Sequence, residues 1–386
     1  MCAFEKLEAQ APRMNAQNQV TDPFQSIRPY RDNEVEAVLQ RLIRDDECIS
    51  ALTRYQFPRA SSSFGWLLKP LVRIAVAARV GDIEDVQSFQ MLVADYMQKM
   101  IARTTTRVSC SGLERLDPNE AYLFVSNHRD IAMDPAFVNW VRHQGGMSTV
   151  RIAIGDNLLR KPYVSDLMRL NKSFIVNRSA KGRELMTALN QLSSYIDHSV
   201  CNGHSVWIAQ REGRAKDGND RTDPALMKMF YMSHRKQRSL SEMVERLNIV
   251  PVAISYELDP CDALKAEELA AIALHGAYEK SEFEDIASIV RGITGDKGAV
   301  HVGFGEPLEG TFDSPEALAA EIDRQIYLNY RLHPSNLAAA GESVTAEQQA
   351  AFDARLASVS EEARPFLQAM YANPVRNYHL AQQEGA

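Results

Sequence analysis

The sequence predicts an α/β protein: a mixed, largely parallel sheet flanked by helices, with an N-terminal helical region and a helical C-terminal extension. Three observations predict it. Short apolar runs of strand length alternate with helical segments between Arg107 and Phe304, and such alternation implies crossover units joining parallel strands. Before that stretch, apolar residues recur at helical spacing. From Pro315 onward the pattern is helical again, with a polar tail from about Asn377.

The chain has 386 residues, 45% hydrophobic and 24% charged, with a formal net charge of −7. This is the composition of an ordinary globular protein, and the acidic balance argues against a nucleic-acid partner. The five cysteines, Cys2, Cys48, Cys110, Cys201 and Cys261, are scattered without metal or redox spacing, so a reducing, cytoplasmic setting is expected. The opening MCAFEKLEAQ is too polar for a signal peptide. No apolar run reaches the length of a spanning helix.

In chain order, residues 1–28 are expected to be a flexible arm and 29–104 a helical region. Val35, Val38, Leu39, Leu42 and Ile43 follow the spacing of an amphipathic helix. Residues 64–80, FGWLLKPLVRIAVAARV, set Lys69, Arg73 and Arg79 among Trp and Leu. That mixture suits a peripheral helix on the cytoplasmic face of a membrane; Pro70 is expected to interrupt it, and a core helix is the competing reading. Phe89, Leu92, Val93, Tyr96 and Met100 mark another helix. An α/β domain is expected over 105–310, with strands at Val108–Cys110, Tyr122–Ser126, Val150–Ile154, Ser173–Val176, His204–Ile208, Ile249–Ser255 and Ala299–Phe304. A helix is expected over Gly182–Asp197, and the helical extension over 311–386.

The chemistry gathers in SNHRDIAMDPAFVNW, Ser126 to Trp140. His128 falls at the carboxyl end of a strand, the edge where open α/β sheets bind ligands. Asp134-Pro135 is expected to cap and open the next helix. An imidazole takes a proton from a hydroxyl only in the right tautomer and orientation, and a carboxylate on its other ring nitrogen supplies both. His128 and Asp134 can form that dyad; Asp130 is a rival orienter. The competing reading is a helix-capping Asp and a satisfied loop histidine. A kinase catalytic loop would need Asn five residues after Asp130, where Pro135 stands, and no Gly-x-Ser-x-Gly elbow exists for a serine hydrolase.

Two further strand ends carry polar groups. Arg178 follows the run Phe174–Val176, and Arg211, Glu212, Gly213, Arg214 and Lys216 follow Trp207–Ile208. Arginine keeps its charge and its planar fork suits phosphate, and Gly213 permits close backbone approach to a ligand. These edges beside His128 describe a phosphate pocket containing a base; solvated loop charges are the alternative.

Together the residues resemble the glycerolipid acyltransferase superfamily over about Val108 to Leu308. Asn127, His128 and Asp134 match its first block, Phe174 to Arg178 the second, Glu212, Gly213 and Arg214 the third, and Ile249-Val250-Pro251-Val252 the fourth. The usual four-residue interval between His and Asp is five here. The Asp-Pro-Ala after the turn also resembles soluble plastid-type glycerol-3-phosphate acyltransferases. The resemblance implies an O-acyltransferase of phospholipid biosynthesis. In it His128, oriented by Asp134, deprotonates a hydroxyl of glycerol 3-phosphate or lysophosphatidate as it attacks a fatty acyl thioester of coenzyme A or acyl carrier protein. Asn127, Arg178, Arg211, Glu212, Gly213, Arg214 and Lys216 would bind substrate, with no metal and no bound cofactor. A non-catalytic lipid- or acyl-carrier-binding protein on the same fold is the alternative, and a thioesterase a third reading.

Overall fold

The computed structural model describes residues 22–279 and 284–384. Residues 1–21 of the expected arm lie outside the described residues. Residues 22–28 are packed: Arg28 pairs with Asp22 and Glu34 at 2.5 and 2.6 Å, and the Ile27 carbonyl accepts from the Ile175 N–H at 2.9 Å.

Four helices come first: α1 Asp32–Arg44, α2 Asp46–Gln56, α3 Ser61–Val80 and α4 Val86–Thr104. Val35, Val38, Leu39 and Leu42 of α1 are buried against Cys48, Val86, Phe89 and Leu170, as their spacing requires. Helix α3 runs straight through Pro70; its backbone departs from helical values at Phe64 instead. Proline removes one hydrogen bond, and on an exposed helix water can satisfy the freed carbonyl. The exposed residues of α3 include Trp66, Leu67, Leu71 and Ile74.

The seven expected strands all form: β1 Arg107–Ser111, β2 Leu123–Ser126, β3 Arg151–Gly155, β4 Ser173–Val176, β5 Val206–Ala209, β6 Ile249–Tyr256 and β7 Ala299–Phe304. Between them lie helices α5 Met133–Gln144, α6 Pro162–Leu170, α7 Gly182–Cys201, α8 Pro224–Tyr231, α9 Leu240–Leu247, α10 Asp262–His275 and α11 Glu284–Thr294. The sheet order is β1-β7-β6-β2-β5-β3-β4, parallel except where β6 meets β7. Pro251 is tolerated inside β6 because its carbonyl faces β7 beyond the last paired residues, Val252 and Phe304. In an antiparallel pair the N–H points the same way as the carbonyl, so the one donor that proline lacks falls at the end of the β6–β7 ladder, opposite Gly305, and none is lost toward β2.

Both faces of the sheet are covered. Leu123, Val125, Val206 and Ile208 pack under α7, α8, α9 and α12, Pro315–Asn329. Phe124, Trp207, Val250 and Val252 pack under α5, with Met97 and Met100 of α4 closing that side. Helices α13 Pro334–Ala340, α14 Ala346–Ala357 and α15 Arg364–Glu384 build a third cluster on α10 around Phe352, Leu367 and Tyr371. The sequence suggested a polar tail from Asn377. Instead α15 runs on to Glu384, and Ala381 is buried.

Two buried histidines couple this fold to pH. His301 lies between the Ser109 and Ser111 hydroxyls at 2.9 Å each, and His333 opens α13. Burial, with nearby Arg331 charge, holds both imidazoles down to about 4, against 6.5 for the free side chain. A depressed folded-state value means the unfolded chain binds protons first as pH falls. Their contribution is complete above about 6.5 and lost from there toward pH 4. The urea midpoint is expected to fall between pH 7 and pH 5; an unchanged midpoint would contradict this.

Candidate active site

Strand β2 delivers its turn to the carboxyl edge of the sheet. Asn127 is fully buried there. Its side-chain amide donates to the Ile254 carbonyl at 3.0 Å and to Asp220 at 3.2 Å, and its carbonyl accepts from the Ile254 N–H at 2.7 Å. Expected among the substrate-binding residues, Asn127 instead ties β2 to β6 and does not line the cavity.

His128 Nδ1 lies 2.8 Å from Asp134 Oδ2. Asp134 is fully buried, and each of its hydrogen bonds is accepted from a donor. Oδ2 also accepts from the Arg129 and Asp130 N–H groups at 2.6 and 3.0 Å, and Oδ1 accepts from the Tyr256 hydroxyl at 2.7 Å. Burial and the neighbouring Asp134 push the Tyr256 hydroxyl well above its ordinary pKa, so it remains a donor. A proton on His128 Nδ1 completes the set and leaves Nε2 with the lone pair.

Asp130 has another task. Its Oδ1 accepts from the Ala132 and Met133 N–H groups at 3.0 and 2.8 Å. Burial, and then the charge of Asp134, raises its pKa. Helix α5 therefore starts at Met133, earlier than expected, and Asp134-Pro135 does not cap it. Because Asp130 supplies the cap, both oxygens of Asp134 are free for His128 and its other donors. Asp134 also sits in the first turn, where the helix dipole favours negative charge. The five-residue interval thus still brings the two side chains together.

Sequence reasoning missed the layer behind this pair. Arg129, buried, reaches Asp220 at 2.6 Å and the Gly218 carbonyl at 3.2 Å, and stacks over the Tyr330 ring at 5.6 Å. Lys265 donates to the Arg129 carbonyl at 2.7 Å and pairs with Asp259. These partners are far apart in sequence; the available signal was an Arg and an Asp inside otherwise apolar or turn-forming stretches.

A cavity of about 1730 Å³ opens at this edge, lined by His128, Arg178, Arg211, Glu212, Gly213, Arg214 and Lys216. The three predicted strand ends do converge. The Arg178 N–H donates to Asp156 at 3.1 Å, and the Ser179 hydroxyl to the same carboxylate at 2.7 Å. Burial would raise the Asp156 pKa, but these hydrogen bonds outweigh it and hold it below the usual value. A side chain at Gly155 would collide with Arg178 Nε and Asn157, so this glycine leaves Arg178 its path across the end of β3. Arg178 Nη1 is 3.6 Å from Glu212, which is largely exposed.

Lys216 and Gly213 also have structural roles of their own. Lys216 lines the wall, but its ammonium pairs with Glu268 of α10, so it braces the loop. Gly213 has φ +76°, and nothing lies within 4 Å of where its Cβ would be. The backbone conformation favours glycine there, and the open space leaves room for close approach of a ligand.

The model of the Acyltransferase family matches residues 107–255, which hold both members of the dyad and all three Arg-bearing positions. Curated relatives include the glycerol-3-phosphate acyltransferase of Pseudomonas syringae pv. tomato, 26% identical over 198 residues. That alignment covers 51% of this chain and 22% of the relative. The enzyme of the same name from Xanthomonas axonopodis pv. citri is 26% identical over 197 residues, covering 51% and 21%. Over residues 107–255 these matches support the resemblance to the glycerolipid acyltransferase superfamily. The match to the curated superfamily members spans about a fifth of their length. Among solved structures, the 1-acyl-sn-glycerophosphate acyltransferase of Thermotoga maritima aligns with TM-score 0.37 and 16% identity, over 76% of this chain and 94% of that one.

Proposed function

We propose that this protein moves a fatty acyl group from an acyl thioester to a hydroxyl of a glycerol phosphate. The donor is acyl-CoA or acyl-ACP, and the acceptor is glycerol 3-phosphate or lysophosphatidate. The observation that carries the reading is the 2.8 Å contact between His128 and a buried Asp134, at the mouth of a cavity lined by Arg178, Arg211 and Arg214. His128 Nε2 takes the acceptor hydroxyl proton as that oxygen bonds to the thioester carbonyl carbon. The tetrahedral intermediate collapses, the C–S bond breaks, and the departing thiolate receives the proton back. General-base help of this kind contributes about 10²–10⁴-fold. The arginines hold the acceptor phosphate, Arg178 in the place Gly155 leaves open. The thioester is a co-substrate, and the proposed step uses no bound cofactor.

His128→Ala is expected to lower transfer from palmitoyl-CoA or palmitoyl-ACP by at least about a hundredfold while circular dichroism stays native. Turnover near that of the unmodified protein would remove the dyad from the mechanism.

The same reading gives α3 a lipid surface as partner, on the cytoplasmic face of the membrane. Leu67, Leu71 and Ile74 lie on the exposed side at i, i+4 and i+7, with Trp66 beside them and Lys69 exposed. Such a face favours an interface rich in anionic lipid. No described helix is long and apolar enough to cross the membrane. Co-sedimentation with phosphatidylglycerol-containing vesicles at low salt is expected, and Leu71→Asp should weaken it. Absence of binding by the unmodified chain would count against this surface.

A further inference from the structure

The sheet divides beside His128. Strands β3 and β5 share two ladder positions, Arg151 with Val206 and Ile152 with Trp207. Each keeps four with its other neighbour. Past Ile152 they part, and Ala153, Ile154 and Gly155 line one bank of the cavity while Ile208 and Ala209 line the other. Successive strand side chains point to opposite faces, so the cavity reaches both sides of the sheet through this gap.

Each side is apolar. On one face, Ala153 and Ile208 pack with Leu189 and Leu192 of α7 and Leu226 and Met229 of α8. On the other, Ile152 and Trp207 pack with Met97 and Met100 of α4, Ala136 of α5 and Ile293 of α11. All of them line the same cavity. Its volume of about 1730 Å³ exceeds the roughly 300–1,000 Å³ of a site for one small ligand.

We infer that the cavity holds two hydrocarbon chains at once, one on each face of the sheet. The α7–α8 arm is a second chain subsite, for the acceptor. Arg178 leads from β4 toward the start of α7, so a phosphate held there places its own chain along Leu189 and Met229. The His128 ring packs edge-on to Trp207 at 6.0 Å, on the other face, and that arm takes the donor chain. The inference rests on the acyl-transfer reading and narrows its acceptor to a glycerol phosphate that already carries an acyl chain. Each methylene buried in such an arm is worth about a fourfold gain in affinity.

The test is equilibrium binding of two unreactive probes by the full chain: an S-alkyl thioether analogue of palmitoyl-CoA, and lysophosphatidates of decreasing chain length below their micelle concentrations. The unmodified protein is expected to bind both together, and to lose more than about a hundredfold in lysophosphatidate affinity as eight methylenes are removed. Leu189→Trp should flatten that dependence and leave the thioether affinity unchanged. Met97→Trp should do the reverse, so each variant's retained ligand shows that it folds. Mutually exclusive binding, or both variants weakening both probes alike, would overturn the two-arm site. Joint binding without any transfer activity would keep the subsite and refute the acyl-transfer reading; transfer with mutually exclusive binding would do the opposite.

Discussion

The buried carboxylate of Asp134 is the constraint on which the site depends. A charge with no exposure is tolerable only when hydrogen bonds replace its water. Here two backbone N–H groups, a tyrosine hydroxyl and an imidazole do so. Three of these donors come from the turn after β2 and the fourth from the end of β6, while the carboxylate itself sits in the first turn of α5, whose start Asp130 caps. Losing any one leaves part of the carboxylate uncompensated, so the turn, the strand and the helix are held to one arrangement. The orientation of His128 follows from that arrangement.

The layer behind the dyad extends the same logic. Asn127 fastens the turn to β6 and touches Asp220, and Asp220 pairs with Arg129. Lys265 and Asp259 connect the turn to α10, on which the C-terminal helices pack. Those helices also fix the arginine loop. Gly218, at φ +74°, lies against the Met370 carbonyl of α15 where no side chain would fit, and Asn373 donates to the Asp217 carbonyl at 2.8 Å. The extension that shares no part of the family match thus positions the loop carrying Arg211 and Arg214. The pairs hold this layer together although Arg129 Nε and Asp220 Oδ1 are buried without a hydrogen-bond partner.

Much of this was legible in the sequence because local rules governed it. Short strand-length segments alternating with helical ones located all seven strands, and strand ends located His128, Arg178 and the Arg211–Arg214 loop. What escaped was decided by distant partners. Asp134 looks like a helix cap because nothing local says that Asp130 will take that role. Asn127 reads as a ligand until Ile254 is beside it, and Lys216 reads as a phosphate contact until Glu268 neutralises it. Tyr256 ends a plain apolar strand and gives no local sign that its hydroxyl meets Asp134. Pro70 misled because helix breaking depends on whether the freed carbonyl can reach water, which only the exposure of α3 reveals. The parting of β3 from β5 has no signature at all, since each strand is fully regular toward its other neighbour.

The measurement that tests the central claim most directly is steady-state acyl transfer by Asp134→Asn beside Asp130→Asn, with glycerol 3-phosphate and lysophosphatidate each offered as acceptor. An amide at 134 carries no charge to stabilise the imidazolium that forms on His128, and the account predicts a fall in kcat of at least about a hundredfold. Asparagine is a competent helix cap, so Asp130→Asn should stay within about tenfold of the unmodified chain. Equal losses in the two variants, or substantial turnover by Asp134→Asn, would contradict the assignment of Asp134 as the group that orients His128.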